Sequence, residues 1–244
     1  MLLQIKLFVA KILVNDFTGK LISMLFSNKI PFHNLIIDIS NPVIRKRIAA
    51  SLYFKTYESA EVRFISKYLK GYEGTIVELG SSIGVVSSTL AKANPKASLF
   101  SFEADKRFIP IIENNFKINH ISNANCFNEI IGASGYEFIP GEDNTMGKIS
   151  KTDSESNKMS SLPQLIKKYI FSEFVLVSDI EGAEYFVLNE DVSIFNTIPL
   201  LIIELHPIEI ENQLISVEDL KARIEFLGYQ ILEQFGSNVV AKKN

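Results

Sequence analysis

From residue 75 onward the apolar positions of this chain fall into two alternating kinds of run. The compact runs, rich in branched and aromatic residues, predict strands at Thr75–Leu79, Ser98–Glu103, Ala124–Ile131, Phe174–Asp179 and Leu200–Leu205. Between them, apolar residues recur at helical spacing, which predicts helices at Val85–Ala93, Arg107–Asn119, Ser161–Tyr169, Gly182–Asn189 and Val217–Leu227. Gly228 follows the last of these as a stop signal. Alternating strands and helices require crossover connections, and therefore a parallel sheet covered by helices on both faces. The tail departs from this pattern. "YQILEQ", the turn "FGSN" and "VVAKK" predict a hairpin, so the last strand runs antiparallel to its neighbour.

The first part of the chain is less regular. Leu2, Ile5, Val9, Ile12 and Leu13 share helical spacing and predict an amphipathic helix. Lys6, Lys11, Asp16 and Lys20 interrupt the apolar residues, so there is no membrane span, and the run between Lys6 and Lys11 is too short for a signal-peptide core. The helix is read first as packing on protein, and second as contacting a membrane surface or a partner. "YESAEVRFISKYL" reads as a further helix with Val62, Ile65 and Leu69 on one face. The expected division is a helical or extended lead-in over 1–56 and an α/β domain over 57–244. Within the second part, "GEDNTMGKISKTDSESNK" at 141–158 is a polar connection, expected to act as a mobile lid over the acceptor.

Composition narrows the choice of class. A chain of 244 residues with 47% hydrophobic content has enough apolar surface for one full core. A net charge of -3 argues against a dominant nucleic-acid surface, which needs clustered Lys and Arg. The single cysteine, Cys126, cannot close an internal disulfide and points to a reducing compartment, with the cytoplasm as the expected location.

Parallel sheets bind ligands beyond the carboxyl ends of their strands. The first strand ends in "ELGSSIG", which offers Glu78, Gly80, Ser81 and Gly84; glycine lets the backbone turn sharply and lets a ligand come close. The second ends at Glu103, where a carboxylate can accept hydrogen bonds from both ribose hydroxyls. Together they suggest a cofactor that carries a nucleoside. The turn lacks the third glycine of G-x-G-x-x-G and has no G-K-[ST] ending, so a pyrophosphate cradle is poorly matched. An acid beside the turn suits a cationic ligand better than a phosphate. The fourth and fifth strands end in "VSDIEGAE" and "IIELHP". If both stay extended, Asp179 and Glu181 share one face, as do Glu204 and His206. Glu184 is read mainly as a helix-capping acid.

The segments "IVELGSSIGVVSSTLAK", "FSFEADKRFIPIIENNFKIN", "IIGASG", "FVLVSDIEGAEYFVLNE" and "LIIELHP" resemble the FkbM-type methyltransferases, which use S-adenosylmethionine. The resemblance spans about residues 57–207, with D-x-E-G-A-E its most specific part. It implies a Rossmann-like class I methyltransferase fold: a mostly parallel seven-stranded sheet with a C-terminal antiparallel hairpin. It also implies O-methylation, often of sugar or natural-product hydroxyls. Carried over by position, Glu78, Gly80, Ser81 and Gly84 match the first cofactor motif, Glu103 the ribose acid, and Asp179, Glu181 and Glu184 the fourth-strand motif. The family more often has Asp at the place of Glu78 and Ala-Asn at the places of Ser81 and Ser82.

The expected reaction is methyl transfer to a hydroxyl of a small-molecule or glycan acceptor. Candidate catalytic residues are His206, Asp179, Glu181 and Glu204, with His206 as the first choice of base and Asp179 as the second. Asp179 also counts among the expected cofactor contacts. The same four residues could ligate a divalent metal, which is the less favoured reading. A nicotinamide-dependent oxidoreductase and a noncatalytic binding module are the alternatives.

Overall fold

The computed structural model describes residues 13–142, 147–152 and 159–244. The predicted N-terminal amphipathic helix therefore lies outside the described residues, Leu13 excepted. The lead-in comprises α1 (Asp16–Leu25), a hairpin of β1 (Lys29–Phe32) and β2 (Leu35–Asp38), and α2 (Arg47–Tyr53). Next comes α3 (Ser59–Phe64), which widens into a π turn at Ile65–Leu69. Glu58 precedes α3 with a left-handed backbone, φ 44°.

The alternating part begins with β3 (Thr75–Leu79), α4 (Val85–Ala93), β4 (Ser98–Glu103), α5 (Ile109–Ile118) and β5 (Ala124–Asn128). A hairpin of β6 (Tyr136–Ile139) and β7 (Lys148–Lys151) follows, then α6 (Leu162–Tyr169), β8 (Phe174–Ser178), α7 (Glu184–Leu188) and β9 (Leu200–Glu204). The chain closes with the small hairpin β10 (Ile208–Ile210) and β11 (Gln213–Ile215), α8 (Val217–Phe226), β12 (Tyr229–Phe235) and β13 (Asn238–Lys243).

Seven strands form one sheet in the order β12-β13-β9-β8-β3-β4-β5. β3, β4, β5, β8 and β9 pair in parallel, whereas β13 runs antiparallel to β9 and to β12. This mostly parallel sheet with a C-terminal antiparallel hairpin is the arrangement the resemblance implies. The strand order reverses at β3, which has β4 on one side and β8 on the other. That is the crevice where such sheets bind ligands.

The central strands read as nearly continuous apolar runs because helices cover both faces. Val77, Leu79, Leu176 and Leu201 face a core completed by Leu165 of α6 and Leu220 and Ile224 of α8. Ile76, Val175, Val177 and Ile202 face the other way, toward Phe64, Leu69 and Leu90. A third cluster joins the lead-in to α5 through Ile22, Phe32, Ile48, Leu52, Ile112 and Phe116. Two buried asparagines, Asn115 in α5 and Asn119 at its C-terminal cap, fix its position: Asn115 Oδ1 accepts from Asp38 N at 2.8 Å, and Asn119 Oδ1 from Ile36 N at 2.9 Å. Among the described residues, no helix is long and apolar enough to cross a membrane.

The structure shortens several predicted elements. β8 stops at Ser178, since Glu181 (φ 53°) and Gly182 (φ 103°) turn the chain out of extended geometry just beyond it, and β9 stops at Glu204. The same turn delays α7 to Glu184. β5 ends at Asn128 rather than Ile131, and α5 begins at Ile109 rather than Arg107. The polar 141–158 stretch is not wholly a loop: Lys148–Lys151 pairs with Tyr136–Ile139, so its middle belongs to a hairpin. Residues 143–146 and 153–158 of that stretch lie outside the described residues.

Candidate functional site

The turn after β3 is shaped by close backbone packing. Gly80 has φ 85°, and a Cβ there would stand 1.7 Å from the Asp179 carbonyl oxygen. The β3 and β8 ends are that close because Asp179 N donates to Leu79 O at 2.9 Å, while Gly80 N donates to Phe102 O at 2.9 Å. Gly84 has φ 80°, and a Cβ there would press on Ile112 of α5 at 3.2 Å. Both glycines thus meet a demand of the fold.

Glu78 lies beneath this turn, 1% exposed. Its Oε2 accepts from Ser87 Oγ at 2.5 Å and Ser81 Oγ at 3.3 Å. Burial pushes its carboxyl up to about 7, against the serine hydroxyls that favour the charged form. Ser81 is buried as well, so both residues act from below the turn.

Glu103 closes the other side. Its Oε2 accepts from Ser82 N at 2.7 Å and its Oε1 from Asp105 N at 2.8 Å. Burial raises this carboxyl to about 7, opposed by those two backbone bonds. A carboxylate therefore occupies the turn amide that a phosphate would need. In front of it lies a cavity of about 170 Å³, lined by Gly80, Ser82, Glu103, Phe108, Ile130 and Asp179, among others. Apolar walls with a few convergent polar groups are the usual make-up of a cofactor site. Beside the cavity, Asp105 holds Arg107 in a two-pronged pair, and Arg107 Nη2 donates to Gly141 O at 2.7 Å.

The ends of β8 and β9 bring their charges together at His206. Its Nδ1 is 3.9 Å from Asp179 Oδ1 and 3.3 Å from Glu184 Oε1; its Nε2 is 3.7 Å from Glu181 Oε2 and 3.8 Å from Glu204 Oε1. The convergence predicted for Asp179, Glu181, Glu204 and His206 is present, although the premise of extended strands fails at Glu181. Burial works against the charged imidazole, but the Glu184 hydrogen bond and the charges of Glu184, Glu181 and Glu204 outweigh it and hold His206 at about 9. At neutral pH His206 is therefore the counter-charge of this rim. Glu184 is fully buried and accepts from Ile180 N at 2.7 Å and Gly182 N at 2.8 Å, so it caps the turn, as read from the sequence.

Tyr57 and Glu58 also line the cavity, and both escaped the sequence reading. Tyr57 Oη lies 3.5 Å from Ser82 Oγ. Burial, then the charge of Glu204, raises Glu58 to about 7, while Asp179 is pushed well above the usual carboxylate range by burial and then by Glu58, Glu204, Glu184 and Glu181. The available signal was "YES", an acid immediately before a helix, which on its own looks like an ordinary capping charge.

No protein-family model matches the chain, so the FkbM-type resemblance rests on the motifs quoted above. No curated protein matches it either. Solved structures do resemble it. The precorrin-6y C5,15-methyltransferase of Geobacter metallireducens GS-15 is 10% identical, covering 76% of this chain and 89% of that one, with a TM-score of 0.45. The ribosomal protein L11 methylase of Lactobacillus delbrueckii subsp. bulgaricus is 10% identical over 78% and 80%, with a TM-score of 0.46. TrmK of M. capricolum, in complex with S-adenosyl-homocysteine, is 12% identical over 75% and 67%, with a TM-score of 0.42. Resemblance of that depth fixes neither ligand nor activity.

Proposed function

We propose that the chain is an S-adenosylmethionine-dependent methyltransferase of the FkbM type that methylates a hydroxyl of a sugar, glycan or related small molecule. One observation carries the cofactor reading: at the point where strand order reverses, Glu103 stands beside the cavity and takes the Ser82 amide of the glycine turn. A ribose diol finds an acceptor carboxylate there, whereas a pyrophosphate finds a like charge. The residues fit the cofactor in a second respect. Gly80 itself lines the cavity, and its lack of a Cβ lets the β3 and β8 ends close up there against the Asp179 carbonyl.

When bound, S-adenosylmethionine supplies a methyl group on a sulfonium; the acceptor oxygen takes the methyl, the C–S electron pair stays on sulfur, and the hydroxyl proton leaves. The chain's own residues have three tasks. Gly80, Ser82 and Glu103 position the nucleoside end, which serves orientation. Asp179 lines the cavity and is the rim carboxylate placed to receive the proton. His206 sits behind Asp179 and balances the carboxylates around it.

The experiment is transfer of a labelled methyl group from S-adenosylmethionine to a panel of sugars, nucleotide sugars and glycans, with amine and thiol acceptors alongside. Label on a hydroxyl acceptor supports the reading. Label confined to amines, thiols or carbon would overturn the O-methylation part and leave the cofactor part standing.

A further inference from the structure

Glu58 and Glu61, at the start of α3, bring two more carboxyl groups to the rim made by Asp179 and Glu204. One oxygen from each of Glu58, Asp179 and Glu204 lies within 4.8 Å of the others. His206 does not balance all of them: its short contact is with Glu184, and it stands 3.9 Å from Asp179 and 3.8 Å from Glu204. Like charges this close, in a setting poor in water, repel strongly.

A separate observation points to a ligand. Glu61 is only 5% exposed and lines a small cavity with Glu58 and Asp179; its carboxyl meets that of Glu204, yet its Oε1 is buried with no hydrogen-bond partner. Asp179 Oδ1 is likewise buried without a hydrogen-bond donor. Leaving a carboxylate oxygen in that state is costly, and buried charges are normally paired or bound to metal.

We propose that this chain binds one divalent cation between Glu58, Asp179 and Glu204, with Glu61 behind them as an outer carboxylate. The three donors are all carboxylate oxygens, the set chosen by hard ions such as Ca²⁺, Mg²⁺ and Mn²⁺. The span is compatible: oxygens at about 2.3–2.6 Å from one ion stand about 3.3–5.2 Å apart, depending on the angle between them, and Mg²⁺ requires a slightly tighter set. Asp179, Glu181 and His206 form a second group within the same limit. Hard ions prefer carboxylate oxygen to imidazole, so the oxygen-only triad is the site.

The test is Mn²⁺ titration of the full chain, with no cofactor or acceptor, read from the loss of the free-ion paramagnetic resonance signal. One Mn²⁺ per chain is expected, displaced by Ca²⁺ or Mg²⁺. Glu204→Gln and Glu61→Gln should each weaken it by about tenfold or more, while Glu103→Gln should leave it unchanged. If Glu204→Gln does not fold, Glu61→Gln carries the comparison alone. No uptake at millimolar Mn²⁺, or uptake indifferent to both substitutions, would overturn the site. Because methyl transfer plays no part in this readout, a failed cation site leaves the cofactor reading intact, and the converse holds too.

Discussion

The carboxylates at the ends of β3 and β4 differ in kind from those at the ends of β8 and β9. Glu78 and Glu103 are each tied down by donors of the chain itself: Ser81 and Ser87 for one, the Ser82 and Asp105 amides for the other. Asp179, Glu204 and Glu58 instead crowd one another, one oxygen from each within 4.8 Å; Ser237 Oγ donates to Glu204, His206 stands beside Asp179 and Glu204, and Glu61 Oε1 is buried without a hydrogen-bond partner. The first pair shapes a pocket. The second set crowds acids that raise one another's hold on protons, and groups perturbed in this way are available to a ligand or a reaction.

The sharpest way to break this contrast is at Asp179. Asp179→Asn keeps the shape and removes the charge, and should lower methyl transfer by about 10²- to 10⁴-fold, the usual range for loss of a general base. Steady-state rates on the best acceptor check this; a loss below threefold would mean that the rim carboxylates do no chemistry.

The two regions touch at Gly80, where the next largest effect should appear. A Cβ there stands 1.7 Å from the Asp179 carbonyl just past β8, whereas at Gly84 it comes no nearer than 3.2 Å to Ile112. Gly80→Ala should cost about 3 kcal/mol of stability and Gly84→Ala less, since both are strained by positive φ but only the first collides with backbone. Urea unfolding measures both. Equal costs would mean that the β3–β8 contact is softer than its geometry states.

A third test uses pH on the tied-down side. The folded value of Glu78, about 7, lies above its ordinary 4.5. A raised value contributes stability that is fully present below about 4.5 and is lost as pH rises through about 7, up to about 3 kcal/mol at 1.36 kcal/mol per unit. Glu78→Gln should flatten that decline between pH 5 and pH 8 in thermal melts. An unchanged slope would assign the decline to other groups.

The sheet was largely legible because buried parallel strands leave continuous apolar runs: β3 and β4 have the bounds read from sequence. The three small hairpins were not. β1 carries Pro31, β10 and β11 span three residues each, and their turn is Glu211-Asn212, both with positive φ but with no glycine to advertise it. Within the site, Glu103, Asp179 and His206 stand at strand ends and could be found by counting in twos. Glu58 and Glu61 could not, since an acid at a helix start is ordinary, and only the packing of α3 across the strand ends gives these two their neighbours.

The most direct test of the cofactor site is calorimetric titration of S-adenosylmethionine into the wild-type chain and Glu103→Gln, with NAD as the comparison ligand. Saturable one-site binding is expected in the wild type. The substitution should weaken it by about 10- to 100-fold, the worth of hydrogen bonds to one charged group, and NAD should bind far more weakly. Absence of S-adenosylmethionine binding, or equal affinity in the variant, would contradict the account.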